Sequence, residues 1–107
     1  MFLYIVGGNR KYEDEPLRSI ILYSKKLGIR PILITDHIHL NKECLNYKNL
    51  KEFLKEYKIN YYIFNDINIE FKKLSKKFEV ENSYLLAVNS IWIFKRNIIN
   101  LFQNRIF

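Results

Sequence analysis

Four short, largely apolar runs, Phe2–Val6, Pro31–Thr35, Tyr61–Phe64 and Ser83–Val88, are separated by stretches whose apolar residues recur at helical spacing. A strand that is apolar on successive residues has no polar face to turn toward water, so it needs cover on both sides, which is the situation of a parallel sheet. Joining parallel strands requires crossover connections, and right-handed crossovers place helices on both faces. The chain therefore predicts an α/β fold of order β-α-β-α-β-α-β-α. This is an incomplete doubly wound, Rossmann-like parallel sheet with an incipient fifth strand at Ile106-Phe107.

The helical stretches carry their own start and stop signals. Pro16 suits a first helical turn, where its missing N–H costs no bond, and Leu17, Ile20, Ile21, Ser24 and Leu27 then keep period until Gly28. Glu13, Asp14 and Glu15 fall at the positive end of that helix, and Lys25 and Lys26 at its negative end. Asp36 to Asn46 reads as a loop. Leu50, Phe53, Leu54 and Tyr57 form an i, i+3, i+4, i+7 stripe, followed by a second of Ile67, Phe71, Leu74 and Phe78. A short last helix holds Ile98, Leu101 and Phe102.

A length of 107 residues fits one domain at most, residues 1–107. Hydrophobic residues make up 49% of the chain against three Gly and two Pro, which excludes a disordered or low-complexity protein. No apolar run approaches the ~20 residues that span a bilayer, and Phe2–Val6 is too short for a signal-peptide core and has no basic start. The expectation is a cytoplasmic protein with no membrane association. The single Cys44 can form no internal disulfide, and no His-Asn setting surrounds it, so it reads as a packing or loop residue. The net charge of +7 has two readings, lysine pairs such as Lys25-Lys26 on solvated faces or a footprint for a phosphate-bearing partner. The absence of an arginine-rich run or a reading-helix motif argues against tRNA.

Three segments fall where parallel α/β sheets bind ligands, outside the carboxyl ends of their strands. Gly7-Gly8-Asn9-Arg10 follows the first strand, and reads either as a plain tight turn or as a substrate-contacting loop using Asn9, Arg10 or Tyr12. It matches no phosphate-loop motif, and the acidic run after it would repel a phosphate. Asp36-His37-Ile38-His39 follows the second strand; in extended backbone His37 and His39 face the same way and could share an ion with Asp36 or Cys44. A metal site needs a third or fourth ligand that the sequence does not offer, so no metal is expected. Asn89 to Phe94 follows the fourth strand, and reads either as a hydrophobic connection under the last helix or as the wall of a pocket for a flat heteroaromatic ring.

The run Tyr84 to Phe94, then a short helix, then Asn104-Arg105-Ile106-Phe107, resembles the folate-binding stretch of the formyltransferase family. Within that family, Asn89-Ser90 leading to Trp92-Ile93-Phe94-Lys95 is most similar to the branch acting on nucleotide-linked amino sugars. The resemblance implies 10-formyltetrahydrofolate as cofactor, its pterin held largely through main-chain groups of Ser90, Ile91, Trp92 and Ile93, with Phe94 as a neighbour. Trp92 stands where better-known members often place a longer aliphatic or basic residue. It also implies a nucleotide-linked amino sugar as substrate. The family's catalytic Asn-x-His-x-Ser motif is not among these residues, so the chain is expected to hold no catalytic residue and to be inactive alone. The unfinished sheet edge at Ile106-Phe107 then offers a surface for dimerisation. The alternative is a small non-catalytic Rossmann- or flavodoxin-like module that binds a nucleotide or a protein.

Overall fold

The computed structural model describes residues 2–8, 15–44, 46–74, 82–88, 91–103 and 105–107, with residue 15 and residues 71–74 in backbone only. The strands are β1 (Phe2–Gly7), β2 (Arg30–Thr35), β3 (Asn60–Ile63) and β4 (Tyr84–Val88). They pair in parallel in the order β3-β2-β1-β4. Tyr4 stands beside Ile32 in β2 and Leu85 in β4, so the first strand is the centre of the sheet. The order reverses between β1 and β4. Beyond β4 the segment around Ile106 bridges Leu85 in parallel, with the Leu85 amide donating to Arg105 O (2.8 Å) and the Ala87 amide to Phe107 O (2.9 Å). The incipient fifth strand of the sequence is thus a strand position in the sheet, and Ile106 packs against the core.

The helices are α1 (Glu15–Lys26), α2 (His37–Leu40), α3 (Leu50–Glu56), α4 (Ile67–Leu74) and α5 (Arg96–Phe102). Side chains alternate across each strand, and the two faces collect separate cores. Ile5 and Leu33 point to the face covered by Leu17 and Ile21 of α1 and Leu50, Phe53 and Leu54 of α3. Tyr4, Val6, Ile32, Ile34 and Leu85 point to the face covered by Ile67 of α4 and Ile98 and Phe102 of α5. Both faces are covered, which is why the strands are apolar without alternation.

The helix stripes are the ones the periodicity predicts, with two adjustments. Leu27 is 57% exposed because α1 ends one residue before it and Gly28 turns the chain away. The side chains of Phe71 and Leu74, and Phe78, lie outside the described residues. Cys44 is buried in the core beside Leu40 and Leu50, as a packing residue.

The segment after β2 is not the loop that its polar composition predicts. Asp36 caps a single helical turn: its extended backbone (φ −114°, ψ 174°) lets the carboxylate accept the amide of His39. Asn49 does the same for α3, accepting the Glu52 amide at 2.9 Å, while the Glu52 carboxylate accepts the Lys48 amide at 3.0 Å.

Candidate functional site

Parallel strands bring four connections to one rim of the sheet: residues after Gly7, Thr35, Ile63 and Val88. The strand order reverses between β1 and β4, and helices α1 and α5 that follow these strands cover opposite faces, the arrangement at which parallel α/β sheets commonly bind ligands. Two constellations on this rim are built from described side chains.

The first joins the β3–α4 turn to the segment after β4. Asn68, near the start of α4 and only 6% exposed, donates from its amide to Ile93 O (3.0 Å) and accepts the Lys95 amide (2.7 Å). One planar carboxamide thereby satisfies two main-chain groups of a segment that has no regular structure of its own. Asp66 holds that carboxamide in place, its carboxylate accepting both the Asn68 amide N–H (2.9 Å) and the side-chain amide (3.2 Å). Glu70 in turn accepts the Asp66 amide (2.8 Å). Trp92 adds a second tie, donating its indole N–H to Asn65 O at 3.0 Å. Trp92 and Phe94 pack against the core on the α4–α5 face, Ile91 is half-buried, and Ile93 is 87% exposed.

The second constellation is the capped turn after β2. The Asp36 carboxylate oxygen Oδ1 accepts the His39 amide (2.8 Å) and lies 2.7 Å from His39 Nδ1. Burial alone would raise the Asp36 carboxyl; the His39 amide and ring, with Lys42 nearby, outweigh it and hold the group below its ordinary value. The His39 ring lies on the backbone of Gly8: a Cβ there would stand 2.3 Å from His39 Cδ2, so only glycine permits this approach.

The helical turn also separates His37 from His39. Residues two apart on a helix point ~200° apart, whereas extended backbone would have aligned them. Residues three apart share a face, which is what pairs Asp36 with His39. His37 is exposed, and no group of three or more metal-ligating side chains occurs among the described residues. The sequence offered the pairing through the Asp-x-x-His spacing, but reading the segment as a loop hid it.

No protein-family model, no curated protein and no solved structure matches the chain. The chemistry of the site must therefore be argued from its own atoms. Asn9, Arg10 and Tyr12, expected on the turn after β1, and Ser90, expected beside Ile91, lie outside the described residues. Ile91, Trp92 and Ile93 lie in the segment after β4 that is tied to the β3–α4 turn, with Asn68 and Asn65 as the partners that sequence reading missed. A cleft of about 280 Å³ lies at the opposite rim, lined among others by Phe2, Lys25, Arg30 and Lys58 at the amino ends of β1 to β3. It collects the carboxyl ends of α1 and α3, whose carbonyls those cations offset; Lys25 donates to Tyr57 O. Among the described residues no helix is long and apolar enough to cross a membrane.

Proposed function

We propose that this chain is the folate-binding part of a formyltransferase-like protein, with Ile91, Trp92 and Ile93, next to Ser90, presenting their main chain to the pterin of 10-formyltetrahydrofolate. The observation that carries the reading is the double tie of that segment by Asn68, supplemented by Trp92. Main-chain recognition of a flat ring works only if irregular backbone is held still before the ligand arrives, because ordering it on binding costs affinity. Asn68 supplies that rigidity from the start of α4, at the rim where the strands end. Trp92 and Phe94 are occupied with the core. Ring contacts therefore fall to the backbone and to the exposed side chain of Ile93.

The placement of Ile106 as a further parallel strand beside β4 agrees with the layout the resemblance implies. On this reading the acceptor is an amine of a nucleotide-linked amino sugar, approaching across the turn after β1. The chain brings no catalytic Asn and His to the reaction. The oxyanion formed when the amine attacks the formyl carbon then lacks its donors, each commonly worth ~10²- to 10³-fold in rate.

Trp92 is the sole tryptophan, so its fluorescence reports on this segment alone. Titration with 10-formyltetrahydrofolate or its 5-formyl isomer is expected to give a saturable emission change that weakens in Asn68→Ala. An emission that stays flat at millimolar folate, in a chain folded by circular dichroism, would remove the reading and favour a module with a different ligand.

A further inference from the structure

We propose that Asp36 and His39 form a proton-accepting pair at the carboxyl end of β2, in which His39 Nε2 takes the proton of a hydroxyl or amine on a small ligand. The inference does not depend on the folate reading, since it concerns a different strand end and a different ligand group.

The tautomer follows from the hydrogen bonds. Asp36 Oδ1 already accepts the His39 amide, and the carboxyl is held ionised at neutral pH, so it is acceptor-only. The nitrogen 2.7 Å from it must therefore carry the proton. A neutral ring protonated at Nδ1 has its lone pair on Nε2, which can accept a proton but not donate one. A carboxylate behind the imidazole also stabilises the imidazolium that forms on proton transfer. Asp36 is thus a positioning residue, and His39 is the group that would meet the ligand.

Access fits the role. The two side chains are 22% and 20% exposed, open enough to be reached yet shielded enough for the pair to hold in solvent. The ring edge carrying Cδ2, the carbon bonded to Nε2, rests on Gly8.

In the proposed step the ligand's O–H or N–H bond breaks, its proton passes to Nε2, and the electron pair stays on the ligand heteroatom as a nucleophile. Returning the proton from Nε2 restores the neutral ring.

The chain has two histidines in the same turn, so His37 is an internal control. Long-range ¹H–¹⁵N spectra of the imidazoles are expected to show His39 as the Nδ1–H tautomer, and Asp36→Asn to shift that tautomer balance while leaving His37 unmoved. With p-nitrophenyl acetate as the probe, the histidine-dependent release of p-nitrophenolate should fall at least tenfold in His39→Gln and persist in His37→Gln. A His39 protonated at Nε2 in the wild-type chain overturns the proposal. So does a folded His39→Gln variant that keeps the wild-type rate. The tautomer measurement needs no variant, so it decides the matter even if His39→Gln does not fold.

Discussion

Three residues carry contacts that their neighbours cannot replace. Asn68 is the clearest: Asn68→Ala removes both ties to Ile93 O and the Lys95 amide, each of which would otherwise need a new partner. Losing them should cost about 1–3 kcal/mol, read as a lower urea midpoint together with a shift in Trp92 emission. Asn68→Asp keeps the acceptor for Lys95 N–H but loses the donor, so it should not restore the wild-type emission. Gly8→Ala drives a methyl into His39 Cδ2 and should destabilise by roughly 1–3 kcal/mol, because backbone or ring must move. Asp36 gives a pH dependence with a definite sign. Its folded carboxyl titrates below the ordinary 3.8, so its contribution to stability is fully present above that value and is lost as pH falls below it. The stability difference between wild type and Asp36→Asn should therefore shrink on acidification through that range, as followed by thermal melts. A difference that grows there would contradict the assignment of the carboxylate as acceptor for His39.

At the scale of elements, α1 and α3 end in the same motif with different residues. Past α1, the Ile29 amide donates to Ser24 O and the Gly28 amide to Lys25 O; past α3, the Ile59 amide donates to Leu54 O and the Lys58 amide to Lys55 O. Both are paired bonds that close a helix through a left-handed residue, Gly28 at φ 80° and Lys58 at φ 56°. Glycine adopts that conformation freely, whereas a lysine carries its Cβ strain. Lys58→Gly should therefore stabilise by roughly 0.5–1 kcal/mol. Gly28→Ala should destabilise by a similar amount, although the new methyl meets nothing within 4 Å. Chemical denaturation of the two variants checks both signs. Gly28 was legible as a stop signal because glycine announces the left-handed turn. Lys58 was not, since nothing in a lysine marks it, and only the geometry around Ile59 does. The turn α2 was hidden for a related reason: four residues are too few to show a helical period, and the Asp36 cap is recognisable only once the His39 amide is in place.

For the whole molecule, the two core clusters of the described residues lie on opposite faces of one sheet, so damage to one face should be felt by the cooperative unit. Tyr4 and Phe102 pack edge to face at 5.9 Å between centroids, both essentially inaccessible to solvent. Phe102→Ala should cost about 3–5 kcal/mol, a large share of the ~5–15 kcal/mol typical of a domain, and lower the melting temperature accordingly. The architecture itself was open to reading in the residues. Apolar runs such as Phe2–Val6 demand cover on both faces, and stripes such as Leu50, Phe53, Leu54 supply it, so burial alone dictates a parallel sheet between helices. Those are short-range patterns, set by the period of each element, and a chain displays them before it folds. The site depends on contacts between residues far apart in sequence, Asn68 with Ile93 and Lys95, and Gly8 with His39. No local pattern encodes them. They exist because parallel pairing brings the carboxyl ends of all the strands to one rim, where hydrogen bonds and close packing act over a few ångströms of space whatever the distance along the chain.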